Sequence, residues 1–382
     1  MARAEPLTLA VNGWRLHDLR TGVARYLLNI LRHWTRENVG ERFSAIHLYT
    51  TEPLREVSLP ATIHNIVLRS TKPLLVWENT HLAFAAREDM LFCPSYSIPV
   101  LRGKRSVVAI HDAALHLYPE RFPRRARIVH DRLYGWSGRH ASLVITDSQA
   151  GADDIVSSYG VPRSRIRVIP LAHEEIFRRN SDPDSLARVR ARFLGGDFPF
   201  FLFVGKLSGR RNVPLLLEAF ARFNARSGNT HRLLVVGANV HDLPLETLID
   251  QLSLTGQVIH CPRVEDDELV LLYNAAQAFI SPSVYETVCL PVLEAQACGT
   301  PVICIDTNGM REQTGGAALL IPELEVDVLS AAMRSLAEDT ARRDDFSRRG
   351  LVNAGRFSWK SSSLETLDVL AEAASTRRAR PD

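Results

Sequence analysis

Along the second half of the chain, short apolar runs alternate with stretches whose apolar residues recur at helical spacing. The runs "FPFFLFVG" (198–205), "HRLLVVG" (231–237), "GQVIHC" (256–261), "AFISPS" (278–283) and "TPVICI" (300–305) have strand length. Between them lie "VPLLLEAFARFNA", "LPLETLIDQLS", "EDDELVLLYNAA" and "PVLEAQACG", which read as helices. Buried strands separated by helices of this size predict βαβ units and a parallel sheet covered on both faces. The first half repeats the pattern less regularly. There "LTLAVNG", "SAIHLYT", "LFCPS", "SVVAIHD" and "SLVITDS" are strand candidates, and "GVARYLLNILRHW" is an amphipathic helix. The predicted fold class is α/β, with two Rossmann-like domains facing each other across a cleft and ligands at the carboxyl ends of the strands.

The boundary falls in the tract "RRNSDPDSLARVRARFLGGDF" (178–198), rich in charge, proline and glycine. The expected division is a first domain over 1–178, a linker over 179–197, a second domain over 198–360 and a terminal helix over 361–382. That last helix packs back on the first domain, and "RRARPD" at its end is frayed. No repeats or low-complexity tracts interrupt this scheme.

The composition is that of an ordinary globular chain. The 382 residues are 46% hydrophobic and 23% charged, enough apolar mass for two full cores. A net charge of +3 gives no concentrated basic footprint for nucleic acid. Five cysteines lack zinc or redox spacing, so reduced thiols packed as small hydrophobes are expected. The amino-terminal "MARAEPLTLAVNGW" lacks the pattern of a signal peptide, and no apolar run reaches spanning length. The expected location is cytoplasmic, with contact at a membrane's inner face left open.

The chemistry concentrates in "PSVYETVCLPVLEAQACGTPV" (282–302), an apolar stretch that carries Glu286 and Glu294. Carboxylates are costly to bury without partners. Pro291 suits a first helical turn and Gly299 a helix end, so 291–298 is a short helix. Glu286 then lies in the loop entering it, and Glu294 lies inside. Free amides at that helix start suit a polar ligand, although a loop acid and a dipole-complementing helix acid fit the same residues.

A second feature is "FVGKLSGRRN" (203–212), where a strand ends at Gly205 and a loop carries Lys206, Arg210 and Arg211. Such cations could neutralise a leaving diphosphate without a metal; a solvated basic turn is the plainer alternative. No Walker loop and no glycine-rich dinucleotide fingerprint is present. Gly22 opens a helix after the first strand, where a phosphate could approach closely. His111 and Asp112 end an apolar strand, a position equally suited to a structural histidine hydrogen-bonded by the adjacent aspartate. From Tyr118 to His140, Arg121, Arg124, Arg125, Arg127, Arg132 and Arg139 interleave with Phe122, Tyr134 and Trp136. That tract suits an anionic membrane surface or a lipid-phosphate acceptor, or else a plain solvated face.

Together these segments resemble the retaining GT-B glycosyltransferases of the family-four group, including its mannosyltransferases. The segment 282–302 carries the resemblance most specifically, through Pro-Ser-x-x-Glu and then Leu-Pro-x-x-Glu-Ala-x-Ala-Cys-Gly-x-Pro-Val. "VGKLSGRRN" stands at the expected distance upstream, and "YGVPRSRIRVIP" (159–170) resembles the run into the interdomain linker. The resemblance implies a donor site in the second domain and an acceptor side in the first. It makes Glu294 the ribose ligand, and Glu286 with the backbone of Thr287, Val288 and Cys289 the holder of the transferred sugar. Leu290 and Gly205 border these donor contacts. Lys206 and Arg211 become the diphosphate pair, Gly22 the glycine admitting the diphosphate, His111 the histidine near the donor sugar, and Arg263 with Val264 the holders of the base. Glu286, His111, Lys206 and Arg211 form the expected catalytic set.

Two departures stand out. The basic pair runs lysine then arginine instead of the reverse, and a planar fork is not a point cation. The turn after Glu286 is Thr287-Val288-Cys289 instead of a glycine-rich one, which bears on donor choice. The implied activity is metal-independent, cofactor-free, retaining transfer from a nucleotide sugar, such as GDP-mannose, to a glycan or lipid-linked glycan. A non-catalytic nucleotide-sugar-binding partner and an epimerase of the same fold are the alternatives.

Overall fold

The computed structural model describes residues 7–378 apart from 20, 41, 55, 56, 123 and 241. Residues 1–6 and the end of the "RRARPD" tail lie outside the described residues, as do the side chains of Arg125, Arg377 and Arg378. Two compact units divide the chain, Met1–Leu171 with Ser358–Asp382, and Ala172–Phe357.

The first unit is built on a parallel sheet of seven strands in the order β3-β2-β1-β4-β5-β6-β7. These are β1 (Leu7–Asn12), β2 (Phe43–Thr50), β3 (Ile63–Val67), β4 (Met90–Cys93), β5 (Ser106–Ala109), β6 (Leu143–Thr146) and β7 (Ile166–Val168). The inner strands β4, β5 and β6 are buried at every position, as a sheet covered by helices on both faces requires. The carboxyl-terminal helix Trp359–Arg378 belongs to this unit. Ser363 on it donates to the carbonyl of Ile30 at 2.8 Å, and Arg42 pairs with its Asp368 at 2.7 Å.

The second unit has six parallel strands in the order β10-β9-β8-β11-β12-β13. They are β8 (Phe200–Val204), β9 (Arg232–Val236), β10 (Val258–Cys261), β11 (Ala278–Ser281), β12 (Val302–Ile305) and β13 (Leu319–Ile321). Phe200, Phe201, Leu202 and Phe203 on β8 are all buried, each aromatic worth about 1.5–3 kcal/mol of burial. The chain reverses its direction of winding between β8 and β11, so the loops leaving those two strands flank the switch point where α/β sheets bind ligands.

The tract 179–197, marked by composition as a linker, instead contains the helix Pro183–Leu194 and lies within the second unit. Asp182 caps it, accepting from the Ser185 amide, Pro183 opens it, and Gly195 ends it in the left-handed region. Val189 and Leu194 bury its inner face, so its polarity is that of a half-exposed helix and not of a connector. Among the described residues, no helix is long and apolar enough to cross a membrane.

One glycine is demanded by the sheet itself. Gly237, after β9, has φ +140, and a Cβ there would overlap the carbonyl oxygen of Gly205 after β8. This close approach lets Gly205 N–H donate to Val236 O at 2.9 Å and Leu207 N–H to Ala238 O at 2.9 Å, fixing the start of the basic loop. Gly237→Ala should therefore destabilise the protein by about 3 kcal/mol, combining backbone strain and overpacking, as read from denaturant midpoints; an unchanged midpoint would show that this approach is not obligatory.

Candidate active site

The loop after β8 and the loop after β11 meet through charge. The first runs from Gly205 through Lys206 to a short 3-10 turn, Gly209–Arg211, and enters the helix Val213–Arg226. Asn212 makes that entry in the left-handed region (φ 52), which asparagine tolerates better than most residues. The second runs from Pro282 to Cys289 and enters the helix Leu290–Ala297, with Pro291 in its first turn. Glu286 is only 5% exposed. Its Oε2 accepts from Arg210 Nη1 at 2.9 Å, and its Oε1 lies 2.6 Å from Arg211 Nη1 as an ion pair without hydrogen-bond alignment. Arg210 also donates to the Tyr285 carbonyl at 3.1 Å, and its own carbonyl accepts from Val284 N–H at 3.0 Å. Arg211 reaches on to Ser283 Oγ at 3.2 Å and Cys289 Sγ at 3.7 Å.

A carboxylate buried this deeply needs compensation, because uncompensated burial costs several kcal/mol. Two guanidinium groups supply it and leave positive charge in excess, to which exposed Lys206 adds. The same neighbourhood pushes the Cys289 thiol up, through burial first and the Glu286 charge second, so it is a packed thiol and not a nucleophile.

Glu294 sits one helix turn inside and is buried more deeply still, with Tyr273 Oη donating to its Oε2 at 2.9 Å. Tyr273 belongs to the helix Asp266–Ala275 and is itself fixed edge-on against Phe177 and Phe279. Arg263 and Val264 follow β10 at the sheet edge, where Arg263 is exposed and pairs with Glu265 at 2.9 Å. Thus Gly205, Lys206, Arg211, Arg263, Val264, Glu286 to Leu290 and Glu294 all lie at or just beyond the carboxyl ends of strands in one unit.

The turn Thr287-Val288-Cys289 is made without positive φ, which among non-glycine described residues occurs only at Tyr96, Asn212, Asn229, Asp242 and Ser253. Cys289 itself is extended, at φ −123 and ψ 104. Its N–H donates to Gln313 Oε1 at 2.9 Å, and its carbonyl accepts from Gln313 Nε2 at 2.8 Å. The backbone of Cys289, expected to hold a sugar, is therefore already engaged within the protein. The roles of Arg210, Gln313, Tyr273 and Ser283 are invisible to local sequence reading, since each partner is remote along the chain. The doubled arginine after Gly209 was the one available signal.

Gly22 and His111 belong to the first unit. Gly22 opens the helix Gly22–Arg32, capped by Thr21, and is exposed with nothing within 4 Å of a would-be Cβ. His111 lies just beyond β5 and is buried. Its partner is Asp147 and not the adjacent Asp112. His111 Nδ1 lies 2.9 Å from Asp147 Oδ2, and Nε2 lies 3.1 Å from the Pro94 carbonyl. A carbonyl only accepts, so Nε2 carries a proton, and the carboxylate draws a second onto Nδ1. Tyr26 and Tyr96 meet the ring edge-on at 4.9 Å and 5.5 Å, and Tyr96 is held at φ 63. The helix Arg124–His140 exposes Arg124, Arg127, Ile128, Val129, Arg132 and Arg139. Its aromatic residues turn away from an interleaved outer face. Tyr134 stacks on Tyr96 at 4.8 Å, and Trp136 stacks on His140 at 4.4 Å. No group of three or more His, Cys, Asp or Glu side chains among the described residues is placed to hold a metal ion.

Comparison with known proteins adds to this geometry. Residues 189–351 match the family model described as glycosyl transferases group 1, and residues 20–172 match that of glycosyltransferase family 4. The chain is 29% identical over 278 residues to O-antigen chain mannosyltransferase B of Escherichia coli, covering 72% of each protein. It is 26% identical over 290 residues to a D-inositol 3-phosphate glycosyltransferase of Paenarthrobacter aurescens, covering 73% of this chain and 68% of that one. Among solved structures, WaaG, a glycosyltransferase involved in lipopolysaccharide biosynthesis, superposes with a TM-score of 0.74 at 18% identity, over 95% of this chain and 99% of its own. Anabaena HepE in complex with UDP-glucose gives a TM-score of 0.74 at 17% identity, over 98% and 100%. These two likenesses show a shared fold.

Burial alone lowers the His111 pKa, but the Asp147 charge and hydrogen bond outweigh it and raise it above the usual 6.5. A raised histidine contributes stability that is fully present below its unfolded value and lost as pH rises through the folded one. Histidine-detected NMR should show His111 titrating above 6.5 in the wild type and at a lower pH in Asp147→Asn, where burial remains and the Asp147 carboxylate is gone. An unchanged titration in the variant would show that Asp147 does not hold the proton.

Proposed function

We propose that this chain, which belongs to the family-four group of GT-B glycosyltransferases, moves a hexose from a nucleoside-diphosphate sugar to a glycan or lipid-linked glycan, with retention and without a metal. The observation that carries the reading is the pair Arg210 and Arg211 on buried Glu286 at the switch point of the second sheet, with exposed Lys206 earlier in the same loop. Fixed cations there suit a diphosphate whose charge grows as it leaves. GDP-mannose is the favoured donor, on the strength of the Escherichia coli mannosyltransferase relative.

In this reading Lys206 and Arg211 hold the diphosphate, with Gly205 keeping the backbone low beside it. Arg210 stays on Glu286 and keeps that carboxylate aimed at the sugar hydroxyls. Thr287, Val288 and the start of the Leu290 helix border the sugar. Glu294, oriented by Tyr273, accepts from the ribose hydroxyls, and Arg263 with Val264 flanks the base. His111 does not act as a base, since both of its ring nitrogens are engaged by Asp147 and the Pro94 carbonyl. The bond from the sugar's anomeric carbon to the diphosphate oxygen breaks, and a bond to the acceptor oxygen forms on the same face. The acceptor's proton passes to the departing phosphate oxygen, so no protein nucleophile is needed. A lipid-linked acceptor would place the protein at a membrane's inner face, with the exposed arginine, isoleucine and valine side chains of the helix Arg124–His140 toward the headgroups.

Thermal-shift screening with GDP, UDP, dTDP and ADP should single out one base by raising the midpoint. With the matching sugar nucleotide and a glycan acceptor, free nucleoside diphosphate should appear only when acceptor is present. Lys206→Ala and Arg211→Ala should each lower kcat/KM by about a hundredfold or more, the scale of removing one preorganised charge partner. Unchanged turnover in both would overturn the diphosphate assignment. Binding without turnover would indicate a nucleotide-sugar-binding partner, and sugar interconversion without acceptor an epimerase.

A further inference from the structure

The turn that follows Glu286 is held from behind by a different element, the helix Asn308–Thr314. Gln313 on that helix is 3% exposed and spends its whole carboxamide on one residue. Its Oε1 accepts from Cys289 N–H at 2.9 Å and its Nε2 donates to the Cys289 carbonyl at 2.8 Å. Only one orientation of the amide satisfies both contacts, so the side chain acts as a substitute peptide group pairing with an extended residue.

The clamp is itself backed. The carbonyl of Gln313 accepts from Asn353 Nδ2 at 2.8 Å, and Asn353 Nδ2 also donates to Gln296 Oε1 at 2.8 Å. Gln296 Nε2 in turn donates to the Ala317 carbonyl at 3.0 Å. A buried polar network satisfied in this way sets a single geometry. One turn earlier, Gly309 packs on the same segment. A Cβ there would stand 2.6 Å from the Glu286 carbonyl oxygen and 2.7 Å from that of Thr287. The turn is thus pinned on its side-chain edge by Arg210 and Arg211 and on its backbone edge by this helix.

We propose that Gln313 is a positioning residue that sets which sugar the donor site accepts. By consuming the N–H and carbonyl of Cys289 it withdraws that residue from ligand contact and fixes the direction in which Thr287 and Val288 face the sugar. The inference rests on the nucleotide-sugar reading above. Leucine at 313 would release both backbone groups of Cys289. Glutamate would keep the acceptor for the N–H and lose the donor to the carbonyl, at almost unchanged volume.

The test compares the wild type with Gln313→Leu and Gln313→Glu on nucleotide sugars that share one base and differ only in the hexose. Bare nucleoside diphosphate affinity by calorimetry is measured alongside. Gln313→Leu is expected to change the ratio of kcat/KM between two hexoses by about tenfold, within the range one pocket contact supplies, while nucleoside diphosphate affinity stays within about twofold. Gln313→Glu, whose folding is checked by its denaturant midpoint, is expected to move the same ratio in the same direction by about threefold, a smaller share of that range. An unchanged hexose ratio in a folded variant overturns the inference, as does a loss of diphosphate affinity in step with turnover, which is what a purely structural residue would give. A wild type that binds no nucleotide sugar overturns the proposed function itself.

Discussion

Burying Glu286 is the constraint around which the second unit's site is organised. A carboxylate at 5% exposure would shed its charge or destabilise the fold unless cations follow it inward. The chain answers with two consecutive arginines from the loop after the neighbouring strand. Because each arginine remains partly exposed, the pair loses less hydration than the acid does. One arginine alone would balance the charge, so the second leaves an excess of positive potential at the switch point. Under the proposed function that surplus would serve a diphosphate, and the cost of burying the acid would become the means of binding the ligand.

The two arginines are not equivalent. Arg210 is tied through its side chain to Glu286 and Tyr285 and through its backbone to Val284, which makes it part of the loop's framework. Arg211 touches Glu286, Ser283 and the Cys289 sulfur, spanning both ends of the turn. Drawing Arg211 toward a diphosphate would loosen its hold on Glu286 Oε1, which it meets without hydrogen-bond alignment. Arg210 would keep the other oxygen. The turn after Glu286 and the loop after β8 are therefore mechanically linked through one side chain.

Much of this was legible in the sequence, for stated physical reasons. Buried parallel strands read as apolar runs, so β8, β9, β11 and β12 could be placed from pattern alone. The helix around Glu294, expected over 291–298, forms over Leu290–Ala297 because Pro291 and Gly299 punctuate it. The edge strand Ile63–Val67, with two exposed residues in its middle, carries too little apolar signal to be marked. The tract 179–197 misled because a surface helix rich in arginine looks like a linker in composition. Site partners were hidden for a different reason. Asp147 lies thirty-six positions from His111, and Gln313 twenty-four from Cys289, so only the folded chain joins them. The sequence singles out Glu294 as a candidate, but its hydrogen bond to Tyr273 joins residues on different elements and cannot be read from it.

On the proposed function, the charge cluster around Glu286 holds the diphosphate and hexose of one donor. A crystal structure of the protein with its nucleotide sugar tests it most directly. The account predicts the diphosphate within hydrogen-bond distance of Lys206 and Arg211, the hexose hydroxyls on Glu286, and the Cys289 amide still bonded to Gln313. A donor bound elsewhere, or a diphosphate that leaves Arg211 untouched, would contradict it.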